Sequence, residues 1–318
     1  MIAAVLLFFV VEGMDCDSGP DLCDFLFVVG SFARRMNCED RVDVVDVTHP
    51  AVDAAGIARA CRGAPGWNGG DRCVGKVTHE KIATLSPQDL ISRVCSSGVL
   101  HFRNQQIEID DFAVVAARFG TIKKLDHLRP SARKDLSLVE HVAGTPIRER
   151  RWHSDLSWLH SPPTYTLLNV TSAPDRGGLL FARSRVPNSL ITVLSRFAGE
   201  ELCSMRVAYS RRTNESQEPA LHPIVLRTGD KESDIYLSPL YERGVVGLSA
   251  RESQKVLSTL LEYITRESRV FYADVRPGDI LIWNNRIVVH KGSAEYDPGV
   301  GRTMVRATVF TDTDGAQR

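Results

Sequence analysis

The chain has 318 residues, 43% of them hydrophobic, with Lys plus Arg and Asp plus Glu balanced at 39 each. That length and apolar content suffice for one large or two small packed domains. The neutral balance gives no electrostatic case for nucleic acid or an anionic membrane as partner, so a small molecule is the expected partner; homo-oligomerisation stays open.

Cys16, Cys23, Cys38, Cys61, Cys73, Cys95 and Cys203 make an odd count without a CxxC pair. They read as free thiols of a reducing, cytoplasmic compartment. The apolar segment Ile2 to Val11 is far shorter than the roughly 20 residues needed to span a bilayer, and it lacks a basic leader and a small-x-small cleavage site. It reads as a buried strand, a targeting segment or the lead-in to a start at Met14. Residues 1–80, with GMDCDSGPDLCD and CRGAPGWNGGDRC, keep no period and are expected to form loops and short elements outside the main domain, which is placed at residues 81–314.

From Leu85 the texture changes. Ser86-Pro87-Gln88-Asp89 offers an N-cap with proline at the first helical position, and Leu90, Ile91 and Val94 supply the apolar face of a helix. A strand over Gly98 to Arg103 follows, then an amphipathic helix from Ile109 to Phe119 stopped by Gly120. Beyond Trp152 come short β-like runs: Tyr165 to Val170, Ile224 to Leu226, Ile235 to Leu237, Ile280 to Trp283 and Val305 to Phe310. A single helical interruption, Ser249 to Ser268, opens with a capping-box pattern and carries Val256, Leu257, Leu260, Leu261 and Ile264 on one face. The sum is an α+β plan around a β-sandwich or barrel core.

The chemistry-bearing text is Trp152-His153-Ser154-Asp155. On an extended segment His153 and Asp155 point to the same side and can reach one ion, although the pair alone is common enough to be surface residues. Downstream, Arg276-Pro-Gly-Asp feeds the apolar run Ile280 to Trp283. A polar Asn-Asn-Arg corner reverses the chain, and His290 closes the return strand before Arg302 and Arg306 enter the last one. Two histidines and one carboxylate form a facial triad that leaves metal positions free for a bidentate 2-oxo acid and dioxygen.

FRNQQIEIDDFAVVAARFG, WHSDLSW, PPTYTLLNVTSAPDRGG, HPIVLRTGDKESDIYLSP, VVGLS, RPGDILIWNNRIVVH and RTMVRATV together resemble the taurine/2,4-dichlorophenoxyacetate dioxygenase family over roughly residues 80 to 312. The resemblance implies a double-stranded β-helix (jelly-roll, cupin-like) core flanked by helices. It implies Fe(II) on His153, Asp155 and His290, 2-oxoglutarate and O2 as cosubstrates, and Arg302 on the distal carboxylate, where a planar guanidinium grips with two hydrogen bonds. Arg306 matches a family arginine near the substrate and the inner carboxylate; its alternative is a structural arginine. The implied reaction is hydroxylation with release of succinate and CO2. Asp155 fills the carboxylate position, so no vacancy exists for a halide.

Three departures bear on this. Gly177-Gly178-Leu179-Leu180-Phe181 replaces the family's Gly-Gly-Asp-Thr, removing a hydroxyl worth about 1.5–3 kcal/mol of cosubstrate binding unless a neighbour such as Ser184 replaces it. Trp283-Asn284-Asn285-Arg286 replaces Trp-Asp-Asn-Arg, which is expected to be tolerated. The segment between Phe181 and His222 reads as shortened and carries Arg211-Arg212. The basic loops Arg148 to Arg151 and Lys123 to Arg129 point to a small anionic substrate, while Glu149 argues against taurine-type sulfonate contacts. His222, His127, His160, His101 and His141 read as structural, and Trp158 and Tyr165 as core, with Trp158 close enough to border the pocket. The competing expectations are a degenerate jelly roll that binds a metal or small acid without turnover, and a cupin-like metal enzyme needing no 2-oxo acid.

Overall fold

The computed structural model describes residues 75–145, 150–174, 177–211, 218–293 and 299–311. Ile2 to Val11, Met14, Cys16, Cys23, Cys38, Cys61, Cys73, Arg148, Glu149 and Arg212 lie outside the described residues. Along the chain come β1 (Lys76–Thr78), α1 (Pro87–Ser97), β2 (Val99–Phe102), α2 (Ile109–Ala117), β3 (Thr121–Ile122), β4 (Arg129–Pro130), β5 (Ser137–His141), β6 (Tyr165–Ser172), β7 (Leu179–Arg183) and β8 (Arg185–Pro187). Then follow α3 (Asn188–Ala198), β9 (Arg206–Tyr209), β10 (Ala220–Pro223), β11 (Val225–Thr228), β12 (Glu232–Ile235), β13 (Glu242–Val245), α4 (Ala250–Ile264), β14 (Val270–Ala273), β15 (Ile280–Asn284), β16 (Val288–Gly292) and β17 (Arg302–Phe310).

Local signals account for the helix ends. Ser86 accepts from the Asp89 N–H at 3.1 Å, and α1 stops at Gly98, whose φ of 78° turns the chain straight into β2. The capping box of α4 is complete, with Glu252 reaching back to the Ser249 N–H at 2.9 Å. The α2 helix ends at Ala117, short of Phe119. Gly120 adopts φ +143°, and a Cβ there would stand 2.5 Å from the Phe310 carbonyl oxygen, so only glycine lets the chain pass under the last strand.

The architecture is a jelly roll flanked by helices. One face is an eight-stranded sheet in the order β1-β2-β15-β6-β17-β5-β4, with β3 also on β17. The other is built from β14-β7-β16, β11-β12-β8 and β10-β9-β13. Three apolar layers result. Leu281 and Trp283 of β15 and Met304 of β17 point inward, against Leu179, Phe181 and Ala273 of the opposing face. Their neighbours Ile280, Ile282, Val305, Ala307 and Val309 point outward, against Leu90, Val94, Phe112 and Ala116 of α1 and α2. Both faces of β15 are therefore covered, which is why its sequence runs apolar without alternation. Outside the second face, α3 and α4 pack Leu190, Leu194, Val256 and Leu260 on Val186, Val207, Ile235 and Val245.

Two expectations need correction. The helical interruption is not single, because α3 lies in the segment read as shortened. Its Leu190, Ile191 and Leu194, ended by Gly199 in the left-handed region, form a helical face over only three turns. The strand expected at Ile235 to Leu237 ends at Ile235, since it pairs back over Ser233 and Asp234 with β8.

Gly178 leads into β7 with its Cα against β14: an added Cβ would fall 1.9 Å from the Ala273 carbonyl oxygen. Gly178→Ala is expected to cost on the order of 3 kcal/mol by forcing β7 and β14 apart, read as a lowered urea midpoint with unchanged slope.

Candidate active site

The corner after β15 does not reverse the chain within one sheet. Residues 285–287 carry it from the eight-stranded sheet to the opposing face, so Trp283 and His290 belong to different sheets yet their rings lie 4.9 Å apart. His290 sits in the middle of β16, not at its end, directly opposite Phe181 of β7, with the two rings stacked at 5.8 Å. His153 meets His290 through a lone antiparallel bridge: the His153 N–H donates to the His290 carbonyl at 3.0 Å, and the His290 N–H donates to the His153 carbonyl at 2.9 Å. The regular strand expected through His153 and Asp155 is absent: Asp155 opens a turn in which Leu156 takes φ 51°.

These elements bring His153, Asp155 and His290 together, all buried, with ligand atoms within 4.8 Å of one another. Asp155 Oδ1 lies 3.9 Å from His153 Nε2 and 3.8 Å from His290 Nε2. The Arg151 carbonyl accepts from His153 Nδ1–H at 2.9 Å, which fixes the tautomer and turns the Nε2 lone pair toward the cluster. His290 Nδ1 has no hydrogen-bond partner among the described residues. Burial first, then the neighbouring His153, push the His290 imidazole down to about 3, so it stays neutral and available as a ligand.

Asp155 is the anionic centre. Burial by itself would raise its carboxyl, but Arg306, His290, His153 and the Thr166 hydroxyl outweigh that and hold it far below the usual carboxylate range. Thr166 Oγ1 donates to Asp155 Oδ2 at 2.8 Å, and Arg306 Nη2 faces the same oxygen at 3.0 Å. Arg306 Nε donates to Thr308 at 3.0 Å. Arg302 begins β17, in register with His141 of β5, and strand alternation puts it on the inward face shared by Met304 and Arg306, about 13 Å along the strand from Arg306. From β7 the inward residues are Leu179 and Phe181, neither of which carries a hydroxyl. Ser184 lies past the end of β7, its backbone bonded to Ile287 and Ile235. At the corner, Asn284 Oδ1 accepts from the Arg286 N–H at 2.9 Å, a contact an aspartate would make equally well.

A wall rises beside the triad. Tyr241 stands edge-on to His153 at 6.4 Å and to Trp158 at 4.4 Å; Arg211 lies over Trp158 at 5.0 Å, and His127 meets Trp158 at 5.9 Å. Burial, followed by Arg211 and Arg306, lowers the His127 pKa. His127 and Trp158 therefore border the site, Trp158 also packing on the small core cluster of Leu125, Leu156 and Phe310, and neither Tyr241 nor the role of Arg211 was read from sequence. His222, by contrast, is structural: its Nε2 meets the Ser157 and Leu159 carbonyls at 2.9 and 3.0 Å, holding the backbone around Trp158. His101 is fully buried against Asp279 at 2.9 Å. Tyr165 packs in the outer core beside Phe119.

A jelly roll closed around two histidines and one carboxylate, with arginines on its last strand, defines a metal-dependent oxygenase of the double-stranded β-helix class. Residues 75–308 match the family described as taurine catabolism dioxygenase TauD, TfdA family, and the chain belongs to it; it is an oxidoreductase of the dioxygenase type. It is 26% identical over 265 residues to the alpha-ketoglutarate-dependent 2,4-dichlorophenoxyacetate dioxygenase of Cupriavidus pinatubonensis, covering 73% of this chain and 91% of that one. It is 25% identical over 256 residues to an alpha-ketoglutarate-dependent sulfonate dioxygenase of Saccharomyces cerevisiae, covering 71% of this chain and 61% of that one. Among solved structures, a taurine dioxygenase from Burkholderia xenovorans superposes with a TM-score of 0.59 at 19% identity, over 76% of this chain and 88% of that one. AAD-2 in complex with Mn(II) and N-oxalylglycine superposes with a TM-score of 0.59 at 20% identity, over 74% and 94%. Both likenesses concern the fold.

Next to Tyr241, Glu242 keeps Oε2 buried without a partner among the described residues, and burial pushes its carboxyl up to about 7. Between the unfolded value of about 4.3 and that value the folded state holds a proton the unfolded state has released, so stability falls as pH rises through this window. Denaturant melts from pH 5 to 8 are expected to register this loss in the wild type and not in Glu242→Gln.

Proposed function

We propose that this chain is an Fe(II)- and 2-oxoglutarate-dependent dioxygenase that hydroxylates a small, anionic organic substrate with release of succinate and CO2. The observation that carries the reading is the buried His153, Asp155, His290 cluster with Arg306 against it and Arg302 on the same face of β17. Two imidazoles and one carboxylate are the donor set that suits a non-haem Fe(II) ion with open positions. When bound, Fe(II) with 2-oxoglutarate and O2 supplies the oxidising power for C–H hydroxylation.

The residues have distinct tasks. His153 and His290 offer Nε2, the first oriented by the Arg151 carbonyl and the second by its packing between Phe181 and Trp283. Asp155 offers Oδ1. Arg302 is assigned to the distal carboxylate of 2-oxoglutarate, in a two-pronged charge-assisted grip. Arg306 is assigned to the neighbourhood of the inner carboxylate and the substrate. The anionic substrate reading is supported by Arg211 over the Trp158 face and by Arg211 and Arg306, which add to burial in lowering the His127 pKa. Among its named relatives are enzymes of phenoxyacetate and sulfonates.

The catalytic unit is taken to run from β1, which pairs with β2 ahead of residue 81, to the end of β17. A cytoplasmic location is supported by the free thiols Cys95 and Cys203; among the described residues no helix is long and apolar enough to cross a membrane.

An anaerobic titration with Fe(II) and 2-oxoglutarate tests the assignment. The wild type is expected to develop the visible charge-transfer band of the chelate and His153→Ala to lose it. No band in the wild type would favour a degenerate jelly roll without turnover. In the same assay Arg302→Ala is expected to raise the 2-oxoglutarate concentration at half-saturation at least tenfold, the scale of a lost charge-assisted hydrogen bond. An unchanged requirement would favour a metal enzyme that needs no 2-oxo acid.

A further inference from the structure

Behind Asp155 lies a line of buried polar side chains. Trp283 Nε1–H donates to Asn285 Oδ1 at 2.8 Å, Asn285 Nδ2–H donates to Thr166 Oγ1 at 2.9 Å, and Thr166 donates to Asp155 Oδ2 at 2.8 Å. Trp283, Asn285 and Thr166 are each at most 1% exposed. The direction of this line is forced. An indole N–H can only donate, so the Asn285 oxygen must face Trp283 and its amide nitrogen must face Thr166. Thr166 has one hydroxyl proton; with its oxygen already accepting from Asn285, that proton goes to the carboxylate, which can only accept.

Strand register makes the line rigid. Trp283, Thr166 and Thr308 are direct partners across β15, β6 and β17, so their side chains form one row on the inner face of the sheet. The same corner also grips the backbone between the two ligands: Ser154 Oγ donates to the Asn285 carbonyl at 2.7 Å and lies 3.1 Å from that of Val288. Three residues after Asn285 the chain enters β16, which carries His290.

We propose that Thr166 and Asn285 are positioning residues of the metal site: their one-way hydrogen-bond line holds Asp155 Oδ2 away from the metal and presents Oδ1 as a single anionic ligand. The inference rests on the metal-site reading above. Asp155 also faces Arg306, and a carboxylate free to rotate would offer both oxygens to that guanidinium. Thr166 prevents the rotation by claiming Oδ2 from the sheet side.

Co(II) titration of the purified metal-free protein tests this, with affinity and ligand-field bands read together. Thr166→Val keeps the shape and removes the donor; it is expected to weaken Co(II) binding about 10–100-fold, the usual scale for losing a partner that orients a ligand, and to shift the bands. Thr166→Ser, which keeps the hydroxyl, is expected to restore both. A Thr166→Val protein that melts cooperatively and binds Co(II) with wild-type affinity and bands overturns the proposal. If Thr166→Val does not fold, Asn285→Asp decides, because a second acceptor competes for the Thr166 proton: weakened binding with shifted bands supports the line, and wild-type binding overturns it. If His153→Ala binds Co(II) as the wild type does, the metal-site reading itself fails; if His153→Ala loses binding while Thr166→Val does not, only the positioning role fails.

Discussion

An ionised carboxylate buried as deeply as Asp155 would be driven to take up a proton unless its charge were met by nearby donors and cations, because transfer out of water costs several kcal/mol per ion. Here it is met by parts of the chain far apart in sequence, Thr166 from β6 and Arg306 from β17, both at Oδ2, while Oδ1 faces the imidazoles of His153 and His290. Removing one partner of such a set leaves an uncompensated buried charge. The register of β15, β6 and β17 is therefore set by more than apolar packing. A one-residue slip would turn Trp283, Thr166 and Thr308 outward and replace them with residues of the outer core.

The jelly roll suits this constraint because its chain crosses from one sheet to the other at corners. The corner at residues 285–287 is short, buried at Asn285, and bonded on one side to Thr164 and Ser154 and on the other to Trp283 and Thr166. A single turn thus ties together the sheet that neutralises Asp155, the loop that carries His153 and Asp155, and the strand that carries His290. Of the cluster, His290 stands on a strand, and the loop with His153 and Asp155 is tied to that strand by a pair of backbone hydrogen bonds.

The wall beside the triad is made differently. Trp158, Tyr241, His127 and Arg211 come from four connecting segments and meet through ring and cation contacts rather than through a ladder. Such contacts tolerate substitution better than the ligand cluster does, which lets one scaffold serve different small molecules. His222 is the exception, tying the Trp158 segment to β10 through two carbonyls.

Much of this was legible in the residues themselves. The caps of α1 and α4 and the apolar run of β15 are local patterns dictated by backbone geometry within a few residues, while His153, Asp155 and His290 were singled out by ligand chemistry and Arg302 by the family resemblance. What could not be read was whatever depended on partners distant in the chain. The short face of α3 gains its stability by packing on α4, β8 and β12. His153 and Asp155 converge through a turn and a lone bridge rather than a strand, and Thr166 and Asn285 look like an ordinary strand threonine and a corner asparagine until register places them in line. Sequence by itself marked His153, Asp155 and His290 as candidate metal ligands; only the tertiary structure decided that they meet and how they are oriented, because a hydrogen bond between residues over a hundred positions apart leaves no periodic trace in the chain.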